Sequence, residues 1–317
     1  MRTATSSNAA PPSRARVFAA TLMACVALTA ANAEAQPRPQ EPLGPTIADR
    51  GSATYAFRTF VVTSEDGLRR YKVQVAEPRK PAPAKGRQVV YLLDGNAAVA
   101  ALDEALLATL AAGDAPVLVA IGYDVDTRFD IMARALDYTP PRMDGKPAAD
   151  DMSRPGGGAD VFLRLIEHRI MPQAEAGLRV DPDRRTLWGH SYGGLLTLYA
   201  ALARPGVFQH YAAADPSLWW NAGEVLNRET AFLQDPRRKT LSLDIVAGGG
   251  QRRGPDQRAP TPMRGSLPPG TLEAFVGRLQ AAGVDVTFQE LPDQSHGALF
   301  RTALVRTLTA LSETPAP

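Results

Sequence analysis

The chain has 317 residues, 44% of them hydrophobic and 21% charged, with a formal net charge of +2. That length and apolar share suffice for one large domain with a substantial core, and so balanced a charge argues against a nucleic-acid partner. A single cysteine excludes a disulfide framework, and the sequence carries no internal repeat.

At the N-terminus, Arg14 and Arg16 precede an uncharged apolar run from Val17 to about Ala31, and Ala31-Asn32-Ala33 forms an A-x-A cleavage site. This predicts a secretory signal peptide over 1–33. The run falls short of the roughly 20 residues that span a bilayer, so the mature chain is expected to have no stable membrane span. Leu22-Met23-Ala24-Cys25 resembles a lipobox, and lipidation at Cys25 is the alternative to cleavage. Residues 34–52, rich in proline and polar side chains, predict a disordered lead-in to one domain over 53–317.

Within that domain, 57–63 and 71–76 read as two strands joined by Glu65-Asp66-Gly67, a hairpin. The apolar run 88–94 ends at Asp94-Gly95-Asn96 and leads into a helix to about Ala112; 116–122 is a further buried strand. From 123 to 158 charges, prolines and Gly156-Gly157-Gly158 dominate, and this long loop is expected to form the substrate-binding rim. An amphipathic helix over 160–173 follows. Strands over 185–188, 208–214, 240–247 and 284–291 alternate with helices after Ser191, at 223–233, at 272–282 and at 299–311. Buried strands alternating with helices predict a mostly parallel sheet covered on both faces, with the opening hairpin as an antiparallel edge.

Trp188-Gly189-His190-Ser191-Tyr192-Gly193-Gly194 reads Gly-x-Ser-x-Gly between a strand and an apolar helix. That is the nucleophile elbow of an α/β-hydrolase, in which small neighbours let strand and helix approach a strained serine. A serine hydroxyl needs an adjacent base. Among the four histidines, His168 lies mid-helix with polar neighbours, His190 flanks the serine but is expected to point elsewhere, and His210 sits inside a strand. His296 lies after the last strand and before the last helix, where the base belongs in this fold. The acid stays open between Asp256 in the loop after 240–247, Asp215 at the end of the preceding strand, Asp293, and no acid at all. The oxyanion hole is expected from the backbone N–H groups of Tyr192 and Asn96. No His/Asp/Glu cluster has metal-ligand spacing, so neither a metal nor a cofactor is expected.

These segments together, with Ile121-Gly122-Tyr123, Asp137-Tyr138-Thr139-Pro140, Pro216-Ser217-Leu218-Trp219-Trp220 and Ser295-His296-Gly297, resemble the putative-esterase (esterase D-like) branch of the α/β-hydrolases. The periplasmic siderophore esterases are the members most similar in these motifs. The resemblance implies a periplasmic serine esterase that opens the trilactone of a catecholate siderophore to release iron, with Ser191 as nucleophile and His296 as base. Members of this kind often lack a clear acid and carry serine where this chain has Asp215, which offers Asp215 to the triad or alters the pocket. The substrate is a small-molecule ester, ferric and anionic, so Arg128, Arg134 and Arg142 in the rim and the rings of Trp219 and Trp220 are the expected contacts. A general carboxylesterase or acyltransferase of the same branch is the alternative. A non-enzymatic binding module is disfavoured, because Ser191 and His296 both occupy working positions.

Overall fold

An eight-stranded sheet organises the computed structural model, which describes Met1, residues 41–249, Met263 and residues 266–313. Apart from Met1 these belong to one compact unit, Arg38–Pro317. The signal-peptide segment with Cys25, and Asp256, lie outside the described residues. A one-turn helix α1 (Ile47–Arg50) comes first, with the Asp49 carboxylate accepting the Thr46 N–H at 2.7 Å and Ile47 buried. The end of the expected lead-in is therefore structured, because one apolar side chain and one cap suffice to dock a single turn.

Strands β1 (Tyr55–Thr63) and β2 (Arg70–Pro78) form the predicted hairpin. Next come β3 (Arg87–Leu93), helices α2 (Gly95–Ala101) and α3 (Glu104–Ala112), and β4 (Val117–Ile121). The sequence pattern predicted one helix between β3 and β4. Instead the axis bends by 86° after Ala101, where Asp103 leaves the helical conformation and its carboxylate caps α3 at the Leu106 N–H, 2.8 Å away. Two helices result because an aspartate satisfies orphan amides better at an N-terminus than in a helix interior.

The segment 123–158 is more than a loop. It holds helix α4 (Ile131–Asp137), capped by Asp130, and a small hairpin of β5 (Ala148–Ala149) and β6 (Pro155–Gly156). Then follow α5 (Ala159–Leu165), a π-helical turn (Ile166–Ile170), α6 (Met171–Glu175), β7 (Val180–His190) and α7 (Tyr192–Ala203). The chain ends with β8 (His210–Ala214), α8 (Glu229–Gln234), β9 (Ser242–Gly248), α9 (Thr271–Ala281), β10 (Asp285–Leu291) and α10 (His296–Glu313).

The strand order is β1-β2-β4-β3-β7-β8-β9-β10, parallel from β4 onward. This is the mostly parallel α/β-hydrolase sheet with an antiparallel N-terminal edge. Every residue of β3 is buried, and alternation sends its side chains to opposite faces. Tyr91 and Leu93 enter the core with Phe162 and Leu195, while Val90 and Leu92 pack with Trp188, Phe300 and Leu304. Both faces are thus covered, and the loops at the carboxyl ends of β3, β7, β8 and β9 converge on one edge. Among the described residues no single helix is long and apolar enough to cross a membrane. Asp103→Ala is expected to lower stability by about 1 kcal/mol or somewhat more, read as a shift of the urea midpoint at unchanged slope, because the side chain caps α3 and pairs with Arg301.

Candidate active site

Ser191 is the single residue between β7 and α7, with φ 60° and ψ −117°. A non-glycine residue tolerates this conformation only when its neighbours over-determine it. Here they do. The Ser191 N–H donates to the Ala214 carbonyl at 3.0 Å, and its carbonyl accepts from Leu195 at 2.9 Å and Ser217 at 3.1 Å. A Cβ at Gly189 would lie 2.4 Å from the Gly193 backbone, so the first glycine of the motif is what lets β7 and α7 meet.

His296 is the first residue of α10, one position inside the helix rather than in the preceding loop. Ser295 caps that helix: its carbonyl accepts from Leu299 at 3.0 Å and its Oγ from Ala298 at 3.4 Å. The imidazole lies 3.1 Å from Ser191 Oγ through Nε2 and 2.5 Å from Asp215 Oδ2 through Nδ1. Because a carboxylate only accepts, the tautomer assigned carries its proton on Nδ1 and leaves Nε2 free to accept the Ser191 hydroxyl proton. Asp215 itself has φ 43°; its N–H donates to Val246 at 2.7 Å and its Oδ1 accepts from Gly248 at 3.3 Å. Burial pushes the Asp215 carboxyl upward, but the hydrogen bond and charge of His296 outweigh this and hold it below the ordinary aspartate range. Among the described residues, Asp215 is thus the acid left open by the sequence that meets the imidazole. Asp293 is exposed in the turn after β10, where Asp215 already occupies Nδ1.

His190 does not point away from the site. Its ring packs 4.6 Å from that of His296, and its Nε2–H donates to the His296 carbonyl at 2.8 Å. Burial, with the charge of His296 adding to it, pushes its pKa down to about 3, so it stays neutral. Among the described residues His190, Asp215 and His296 bring three potential ligand atoms within 4.8 Å of one another. The His296 and Asp215 atoms are already bonded to each other, and His190 Nε2 is taken by the His296 carbonyl. Ser217 Oγ lies 3.3 Å from Ser191 Oγ, a neighbour the sequence reading overlooked.

The Tyr192 N–H is the first amide of α7 and has no acceptor within the helix. Asn96 occupies the first turn of α2, and its side-chain amide donates to the carbonyls of Tyr123, Val125 and Thr127 at 3.0–3.1 Å. It therefore fastens the start of the rim. A Cβ at Gly193 would lie 3.5 Å from Asp94 Oδ2, so the N-termini of α2 and α7 adjoin.

The expected substrate contacts divide. Arg134 is a correction: its Nε and Nη2 hold both oxygens of buried Asp94 at 2.8 Å, and its guanidinium lies over Phe129, Tyr138 and Tyr192 at 5.3–5.4 Å. Arg142 pairs with Asp144 and Asn221. Trp220 is 0% exposed and cannot stack on a ligand, whereas Trp219 is half-buried against Tyr192, ring centres 5.7 Å apart. Arg128 is half-buried beside Phe129, at 6.0 Å, and forms no ion pair among the described residues; burial lowers its pKa. A desolvated guanidinium without a counter-charge is costly.

Two expectations follow. Asp215→Asn should lower kcat by about 10³- to 10⁴-fold with KM little changed, measured on a p-nitrophenyl ester, because the imidazole loses its tautomer and charge partner. His190 has a folded-state pKa of about 3 against an ordinary 6.5. The unfolded chain therefore binds a proton that the native state refuses, and this stability is complete above about pH 6.5 and lost as pH falls. Between about pH 7 and pH 5, wild type should lose on the order of 2 kcal/mol more than His190→Gln, read from urea unfolding.

The sequence model of the family described as putative esterase matches residues 64–307. The chain is 38% identical to the apo-salmochelin esterase of Escherichia coli O6:H1 over 86% of this chain and 84% of that one. It is 32% identical to the ferri-bacillibactin esterase BesA of Bacillus subtilis over 60% and 68%, respectively. Among solved structures, the enterobactin and salmochelin hydrolase IroE superposes with a TM-score of 0.70 at 34% identity, covering 85% of this chain and 100% of that one. With elbow, base and sheet order already in place, the chain belongs to the putative-esterase family of α/β-hydrolases and is a serine carboxylic-ester hydrolase.

Proposed function

We propose that this esterase hydrolyses the ester bonds of a catecholate siderophore trilactone and so releases its iron. The observation that carries the reading is the line Ser191–His296–Asp215 in a chain 38% identical, over most of its length, to an apo-salmochelin esterase. Ser191 Oγ attacks the lactone carbonyl while His296 Nε2 takes its proton. The oxyanion forms against the Tyr192 N–H and the Asn96 N–H. His296 then protonates the departing serine alkoxide of the ligand, releasing it as a hydroxyl, and water repeats the sequence to free Ser191. Asp215 holds the imidazole and stabilises its charged form. The ferric ligand is anionic, and Arg128, half-buried in the rim with no ion pair among the described residues, is the cation assigned to it, with Trp219, packed on Tyr192, as the ring nearest a catechol. Iron arrives as part of the substrate. The N-terminal segment with its A-x-A site supports export to the periplasm with removal of 1–33; N-terminal sequencing of the purified mature protein tests this, and a start at Met1 or a lipid on Cys25 overturns it.

Wild type and Ser191→Ala, incubated with ferric and iron-free enterobactin, test the substrate. The expected result is serine-dependent release of linear trimer and shorter dihydroxybenzoyl-serine products, seen by mass spectrometry. No cleavage, with short p-nitrophenyl esters still hydrolysed, would leave a general carboxylesterase. Arg128→Met is expected to raise KM about tenfold for the ferric ester, and less for the iron-free one, on the scale of one charged hydrogen bond.

A further inference from the structure

Tyr192 supplies more than a backbone amide. Its phenol donates to Asp150 Oδ2 at 3.2 Å, and its ring has the guanidinium groups of Arg134, at 5.4 Å, and Arg154, at 5.8 Å, over it, with Trp219 and Trp220 as further neighbours. Asp150 belongs to the β5–β6 hairpin. Its Oδ1 accepts the N–H groups of Met152 and Arg154 at 2.9 and 3.0 Å, and its Oδ2 accepts Arg154 Nε at 2.5 Å while pairing with Nη2. Four of its five bonds therefore close the hairpin on itself. The fifth ties that closed hairpin to the residue that follows the nucleophile. The carboxylate is almost fully buried, its side chain 2% exposed, and a buried carboxylate is stable only while all these donors stay in place. At the far end of the hairpin, the Gly157 N–H donates to Thr139 Oγ1 at 2.8 Å, and Gly156 lies so close to Trp220 that a Cβ there would meet its ring at 2.4 Å. Met152, in the turn, stays 67% exposed and presents an apolar, polarisable surface.

We propose that Asp150 is a positioning residue that sets selectivity for bulky aromatic esters. It holds the 148–156 hairpin against Tyr192 as a wall beside Ser191. A large acyl or alcohol group must lie along this wall, while a small ester reaches Ser191 without it. The proposal rests on the bulky-substrate reading above, and its test is separable from that reading.

The experiment compares kcat/KM for p-nitrophenyl benzoate, p-nitrophenyl acetate and enterobactin in wild type, Asp150→Asn and Arg154→Lys, with hydrogen exchange over 148–156 and over 189–196. Asp150→Asn is expected to lower the benzoate-to-acetate ratio about tenfold or more, through KM, with acetate turnover within about twofold and faster exchange confined to 148–156. Arg154→Lys keeps the charge but loses the two-point contact, so it should shift the ratio the same way by less; it carries the test alone if Asp150→Asn fails to fold. An equal fall on both esters, or no change in the ratio, would overturn the proposal. Wild-type failure on enterobactin removes the siderophore reading, while the benzoate-to-acetate ratio still decides the role of Asp150.

Discussion

One backbone conformation underlies the site: Ser191 at φ 60° and ψ −117°, wedged between β7 and α7. Such a residue costs on the order of 1–3 kcal/mol, supplied by the packing around it. The same bonds that fix it assemble the site. Its amide joins the end of β8 at Ala214, and its carbonyl takes the N–H of Ser217. The turn after β8 is thereby drawn against the elbow, and Asp215, in a left-handed conformation within that turn, is aimed at His296. The catalytic line thus follows from how two strand ends are tied together.

Charge is arranged around this line so that each group has a distinct task. His296 opens α10, and the Asp215 carboxylate accepts its Nδ1–H. His190, buried and neutral behind it, adds a hydrogen bond to the His296 carbonyl without adding charge. Arg134 is compensated by Asp94 and Arg154 by Asp150, so both stiffen the rim around Tyr192. Arg128 is left without a carboxylate among the described residues, which is why that guanidinium is proposed to meet the anionic ligand.

The parts that were legible in the sequence are those set by local rules. Gly-x-Ser-x-Gly between a strand and an apolar helix locates Ser191, and a histidine between the last strand and last helix locates His296. The sheet follows from buried strands alternating with helices. The acid was not legible, because it depends on which strand end reaches Nδ1 and on the positive φ at Asp215, neither of which leaves a periodic trace. Arg134 and Trp220 read as ligand contacts because rim arginines and paired tryptophans are ambiguous; a buried aspartate and a close-packed glycine decided them. Helix α4 escaped notice because seven residues with a cap are too short for a periodic signal, and the break before α3 because an internal aspartate looked like a tolerated helix residue.

The central claim is that this chain works through a Ser191–His296–Asp215 line, and the rate of organophosphonate modification tests it most directly. Wild type and Asp215→Asn would be reacted with a fluorophosphonate, the rate constants measured, and the labelled peptide identified by mass spectrometry. The account predicts one label, on Ser191, formed more slowly by roughly two orders of magnitude or more in the variant. Equal rates would contradict it and leave a two-residue Ser191–His296 machine, and a label on any other residue would remove the nucleophile itself.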